Sequence, residues 1–149
     1  MTYQDQLLIG QNFQEYVKTW LRQELHITLE NFEGKQMQLL GENFQGIEIK
    51  RDGQFRRTQQ LYIEVAEKTH PDNPNYILSG CFREDNSWLI AIGDEQTLFI
   101  FGKKQLQRLY KEDKFHRITT ATSKGFLLSL ESAYEYAEKV LKTESGLLS

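Results

Sequence analysis

The stretch "GIEIKRDGQFRRTQQLYIEVAEK", residues 46–68, constrains the fold more than any other part of the chain. It holds two alternating runs joined by a basic, glutamine-rich connection, and a period of two marks a strand with one buried face. In the first run Ile47 and Ile49 share one face, while Glu48 and Lys50 share the other. In the second, Leu61, Ile63 and Val65 form the apolar face, and Tyr62, Glu64, Ala66 and Lys68 lie opposite. Glu67 falls on the apolar parity, where the strand end would break the alternation. If the two runs pair with their apolar faces buried together, Glu48, Lys50, Glu64 and Lys68 project from one side of the pair. That patch has two readings. Cross-strand Glu/Lys pairs finish the wet face of a hairpin at a few tenths of a kcal/mol each. Alternatively, two carboxylates whose Cβ atoms are about 5 Å apart repel each other unless a cation sits between them. Mg²⁺ (or Mn²⁺) suits such a pair, because it takes hard oxygen ligands and binds through one or two carboxylates plus waters and a phosphate oxygen. A nearby lysine would orient the attacking water or neutralise developing charge.

With 149 residues, 39% of them hydrophobic and 26% charged, the chain suits one globular domain over 1–149. The formal net charge of -3 excludes a uniformly basic surface. Positive residues instead collect in Lys50, Arg51, Arg56 and Arg57, and again in Lys103, Lys104, Arg108, Lys111, Lys114 and Arg117. Each cluster reads either as a phosphate-facing side or as the solvated face of a loop and a helix. No apolar run approaches the roughly 20 residues of a membrane span, and "MTYQDQLLIGQNF" lacks the pattern of a secretory signal. A cytoplasmic protein with no membrane partner is therefore expected. The lone Cys81 allows no internal disulfide.

Along the chain, "QNFQEYVKTWLRQEL" spaces Phe13, Val17, Trp20, Leu21 and Leu25 as one helical stripe. "ITLENF", "MQLLGENF", "YILSGCF", "SWLIAIG" and "TLFIF" read as further short strands. "THPDNPNY" is a loop, and "GKKQLQRLYKED" returns to helical spacing. "HRITTATSKG" reads as a loop before "FLLSL", and "SAYEYAEKVLKT" as a closing helix with Ser132 and Glu135 at capping-box spacing. The final "ESGLLS" reads as a frayed end. These elements sum to an α/β or α+β sandwich.

Taken in this order, "GQNFQEYVKTWL", "GIEIKRD", "LYIEVAEK" and the strands and helix that follow resemble the PD-(D/E)xK nuclease superfamily over most of the chain, in particular its small phage-type and Holliday-junction-resolvase-like members. The resemblance implies a restriction-endonuclease-like three-layer sandwich, with a mixed central β-sheet flanked by helices. It also implies Mg²⁺-dependent hydrolysis of DNA phosphodiesters. Glu48 would stand for the first acid and Glu64 for the second, both as metal ligands. The lysine expected two residues beyond Glu64 is Ala66, so Lys68 or Lys50 would supply the ammonium group. A rival alignment takes Glu42 as the first acid and "EIK", Glu48 with Lys50, as the second motif. Arg51, Arg56, Arg57, Lys103 and Lys104 would contact phosphates, and Glu15 on the first helix is a possible accessory acid.

Glu24 lies near the apolar stripe, and His26, His70 and His116 lack ligand spacing and read as surface or loop residues. Cys81, Trp20 and Trp88 read as core. Cutting both strands of a duplex or branched DNA is most simply done by a homodimer. The missing lysine at Ala66 leaves open a nuclease-like fold without catalysis that binds nucleic acid, and a protein-interaction module.

Overall fold

The computed structural model describes residues 2–143; the tail "ESGLLS" lies outside them. The first helix, α1 (Tyr3–Leu25), begins at Thr2, whose hydroxyl accepts the Asp5 amide while the Asp5 carboxylate accepts the Thr2 amide. It ends at His26, which takes the left-handed conformation at φ 56°. The stripe Phe13, Val17, Trp20 and Leu21 is buried, each side chain contributing about 1.5–3 kcal/mol.

Two four-stranded sheets follow. The first joins β1 (Ile47–Arg51), β4 (Leu89–Gly93), β5 (Thr97–Gly102) and β8 (Lys139–Lys142) in that order, with β1 parallel to β4 and the other pairs antiparallel. The second is antiparallel throughout. It orders β3 (Ile77–Leu78), β2 (Gln60–Glu67), β7 (Ser123–Ser129) and β6 (Arg117–Thr119). Helices α2 (Lys35–Leu40), α3 (Phe55–Thr58), α4 (Lys103–Lys111) and α5 (Leu130–Tyr136) and a 3₁₀ turn at Gly80–Phe82 complete the mixed α/β chain.

Strand alternation divides the interior into two cores. Ile47, Ile49, Ala91, Leu98 and Ile100 face α1, whereas Ile90, Ile92, Phe99 and Phe101 face the second sheet with α4 and α5. The layers are therefore α1, first sheet, then second sheet with its helices.

The alternation expected of the two runs holds through β1 and through β2 as far as Val65, but the pairing expected of it does not: β1 and β2 lie in different sheets. The short α3 between them, with Phe55 buried, carries the chain from one sheet to the other. Further expectations are corrected. "ITLENF" forms no strand, only the single bridge Asn31↔Asn43; of "YILSGCF" only Ile77–Leu78 is a strand; and "HRITTATSKG" holds β6 and the start of β7. "KQMQLL" is the helix α2, without a buried residue, because an apolar run this short has no distinguishing period. Residues 139–142 form β8 instead of extending the last helix, since the free edge of β5 pairs them from Thr97↔Lys142 to Ile100↔Lys139. α5 starts earlier than expected, capped by the Ser129 hydroxyl, which accepts the Ser132 amide.

The outer edge of β1 is closed by side chains. Asn43, buried, donates to Ile47 O at 2.7 Å and accepts from Ile47 N at 3.0 Å, and Glu42 Oε1 accepts from Ile49 N at 3.0 Å. This satisfies backbone groups that an open sheet edge would leave exposed.

Candidate active site

Glu48 and Lys50 leave β1 on the face that carries Ile90 and Ile92, their register partners in β4, and so point toward the second sheet. β2 approaches from that sheet. Its pairing with β7 is regular through Glu64↔Gly125, then skips Val65 to resume at Ala66↔Lys124. One extra residue reverses the side-chain parity beyond it. Glu67, assigned by strict alternation to the apolar face, is thereby turned to the same cavity as Glu64, and Ala66 is buried instead.

The result is a cavity of about 220 Å³ between the sheets, lined by Glu48, Lys50, Tyr62, Glu64, Glu67, Ser79 and Arg83 among others. Glu48 and Glu64 thus share one cavity, though not by the hairpin that the alternation suggested. Lys50 Nζ stands 3.9 Å from Glu64 Oε2, and the Ser79 hydroxyl donates to Glu64 Oε1 at 2.7 Å. Gly80, at φ 53°, lets the chain turn beside β2, where a Cβ would lie 2.1 Å from Glu64 O.

The electrostatics of the cavity are acid-rich. Burial pushes the Glu48 carboxyl up to about 7, and nearby Asp85 adds to the rise against the opposing pull of Lys50, Lys103 and Arg83. Glu42 is also raised to about 7, chiefly by burial; the Ile49 amide opposes the rise and Glu48 reinforces it. Glu67 is raised by burial, then by the charge of Glu64 and a hydrogen bond with it. Burial pushes the Cys81 thiol up to about 12, so it is an un-ionised core group at neutral pH.

An ordinary glutamate in the unfolded chain titrates near 4.5, so between that pH and about 7 the folded protein holds protons that the unfolded chain has lost. The stability that goes with protonated Glu42 and Glu48 is fully present below 4.5 and disappears as pH rises through about 7. Urea unfolding in chelator should therefore show a less stable protein at pH 8 than at pH 5.5, by on the order of 3 kcal/mol. Equal midpoints would remove the picture of two carboxyls strained by burial.

Several candidate residues lie elsewhere. Lys68 does not line the cavity; its ammonium sits 4.5 Å from the centre of the Tyr76 ring. Lys103 is buried, donating to Arg83 O and, at 2.9 Å each, to Asp85 Oδ1 and Ser87 Oγ. It is therefore an internal clip and cannot meet a phosphate. Arg51 pairs with Glu95 at 2.9 Å, and Arg56 holds Asp94 through two nitrogens at 2.6 and 2.9 Å, so both guanidinium groups are already engaged by acids. Arg57 is exposed and bonded to Gln54, and Lys104 is exposed. Glu15 and Glu24 are exposed on α1 and are not among the residues that line the cavity. Trp88, expected in the core, is 62% exposed, with its indole NH donating to Gln45 O.

Glu67, Ser79 and Arg83 join the cavity although the sequence patterns assign none of them to a site. The off-parity position of Glu67 was the one local sign of the bulge; Ser79 and Arg83 carried none. Among the described residues, no group of three or more His, Cys, Asp and Glu has metal-holding geometry. A cation here would rest on Glu48 and Glu64 with waters and a substrate oxygen, the sparse protein ligation that magnesium tolerates.

A larger groove of about 1290 Å³, lined by apolar side chains such as Leu21, Leu25, Leu78 and Trp88 together with charged ones such as Glu84, Lys104 and Glu138, shares Arg83 with this cavity. Among the described residues, no helix is long and apolar enough to cross a membrane. No protein family, curated protein or solved structure matches the chain.

Proposed function

We propose that the chain is a metal-dependent DNA endonuclease of restriction-endonuclease-like architecture, with its reaction centre in the cavity between the sheets. The observation that carries this reading is the convergence of Glu48 and Lys50 from one sheet with Glu64 from the other on a single cavity. The donor set fits a hard divalent ion: burial and the neighbouring Asp85 oppose the Glu48 charge, and a cation would relieve that opposition. Bound there, Mg²⁺ or Mn²⁺ would supply a water of lowered pKa and neutralise charge on the phosphodiester.

The chain's own residues divide the remaining work. Glu48 and Glu64 hold the ion, and Ser79 fixes one Glu64 oxygen by its hydrogen bond. Lys50, beside the other oxygen, takes the ammonium role that the resemblance leaves open between Lys50 and Lys68. It is placed to orient the attacking water and to steady negative charge as it develops. A homodimer would present two such centres to the two strands of a duplex or branched DNA.

The test is cleavage of plasmid, linear and branched DNA with Mg²⁺ or Mn²⁺, together with calorimetric titration of the ion alone. Expected are strand breaks that chelator abolishes and ion binding that Glu48→Gln removes. Absence of both effects would sink the reading. The second reading, a nuclease-like fold that binds nucleic acid without cutting it, is favoured by Ala66 standing where the motif lysine is expected. It requires salt-sensitive DNA binding that survives chelation without turnover.

A further inference from the structure

Beside the cavity, on the β2–β7 ladder, lies a cluster of different character. Tyr76 has the Lys68 ammonium 4.5 Å and the Lys124 ammonium 4.4 Å from its ring centre. The tyrosine hydroxyl donates to Thr120 O at 2.6 Å, which fixes the ring. These distances place the two ammonium groups closer together than one Debye length, about 10 Å at 0.1 M salt, so each feels the other's charge. Among the described residues, neither lysine is matched by a carboxylate ion pair. This sets them apart from Arg51, Arg56 and Lys103, whose charges Glu95, Asp94 and Asp85 already answer.

All three side chains are half-buried, so the ring holds the lysines in place while leaving them reachable. Cation–π contacts of this kind stabilise by about 0.5–1 kcal/mol at exposed sites, enough to restrict a lysine but not to neutralise it. Two ordered, unanswered positive charges form a site for an anion.

The ladder also sets where that site lies. Lys124 pairs with Ala66 immediately beyond the bulge, and the Lys68 amide continues the pairing by donating to Thr122 O at 2.8 Å. Tyr62, which lines the acid cavity, bonds to Ser123 next to Lys124 at 2.5 Å. At about 3.4 Å per residue, the cationic cluster begins within a few residue steps of Glu64.

We propose that Lys68 and Lys124, held on Tyr76, form a phosphate-binding site for the nucleic-acid backbone, flanking the acid cavity and engaging a phosphate other than the one that reacts. This rests on the reading that the ligand is nucleic acid, but not on catalysis. The site is independent of metal, carries no base preference, and gives Lys68 a substrate-holding role in place of a catalytic one.

The test is fluorescence anisotropy of a labelled DNA duplex in chelator across a salt series, with wild type, Lys68→Gln/Lys124→Gln, and Lys114→Gln as a control whose lysine is engaged by Glu112. The same preparations are assayed for cleavage with Mg²⁺. Each phosphate contact contributes about 0.9 to the slope of log affinity against log salt, so the double variant should lose about 2 of slope while the control keeps it. A second variant, Tyr76→Leu, should weaken binding at unchanged charge by releasing the lysines. An unchanged slope in the double variant, or no wild-type binding in chelator, overturns the proposal. A reduced slope in a protein that never cuts upholds it and overturns the nuclease reading instead.

Discussion

Glu48→Gln is expected to reduce metal-dependent cleavage by on the order of 10³-fold and, in the same protein, to raise metal-free stability at pH 8. The two effects share one cause. Burial and the charge of Asp85 hold the Glu48 carboxyl near 7, so at pH 8 the folded chain carries an ionised group in surroundings that resist it. The amide keeps the shape and removes the charge. Unfolding in urea with chelator should then show a gain of about 1–3 kcal/mol, and the fall in stability between pH 5.5 and pH 8 should shrink. The same charge is what a divalent ion would bind, so activity should move the opposite way. Cleavage within a few-fold of wild type would take Glu48 out of the reaction centre. Loss of activity together with loss of stability would assign it to the scaffold.

Breaking the Lys103–Asp85 pair should have the largest effect on folding. The sequence opens α4 with two lysines, which the helix dipole disfavours at an N-terminus. Asp85 answers the first of them: its side chain is 2% exposed and that of Lys103 8%, with 2.9 Å between Nζ and Oδ1. Burial works against the Asp85 charge, yet the hydrogen bonds from Ser87 and Lys103 outweigh it and hold the carboxyl below its ordinary range. Asp85→Ala leaves the ammonium buried without its acid and should cost about 3–5 kcal/mol, measured by urea unfolding at pH 7. Asp85→Leu with Lys103→Met should recover part of that loss, because the two buried charges leave together while the Ser87 and Arg83 groups that bonded to them lose their partners. Lys104→Ala, one residue on but exposed, should stay within about 0.5 kcal/mol. A single Asp85→Ala variant as stable as wild type would show the pair to be incidental.

The sequence carried those features whose cause is local. The stripe Phe13, Val17, Trp20 and Leu21 specifies α1 and its buried face, and the alternation of Ile47/Ile49 and Leu61/Ile63/Val65 specifies two strands and which side of each meets solvent or site. Short segments such as "KQMQLL" and "KVLK" are different, because too few residues repeat to define a period. What they become depends on a partner: "KVLK" is a strand because β5 has an edge to offer.

The site follows the same division. Glu48, Lys50 and Glu64 were legible as acids and a base on the polar faces of strands, because side-chain direction follows from the backbone alone. That β1 and β2 belong to separate sheets, that a bulge at Val65 turns Glu67 to the side of the acid cavity, and that Lys103 is sealed inside by Asp85 were not legible. Each of these depends on contacts between residues far apart in the chain. A period of two states which way a side chain points, whereas only packing states what it points at.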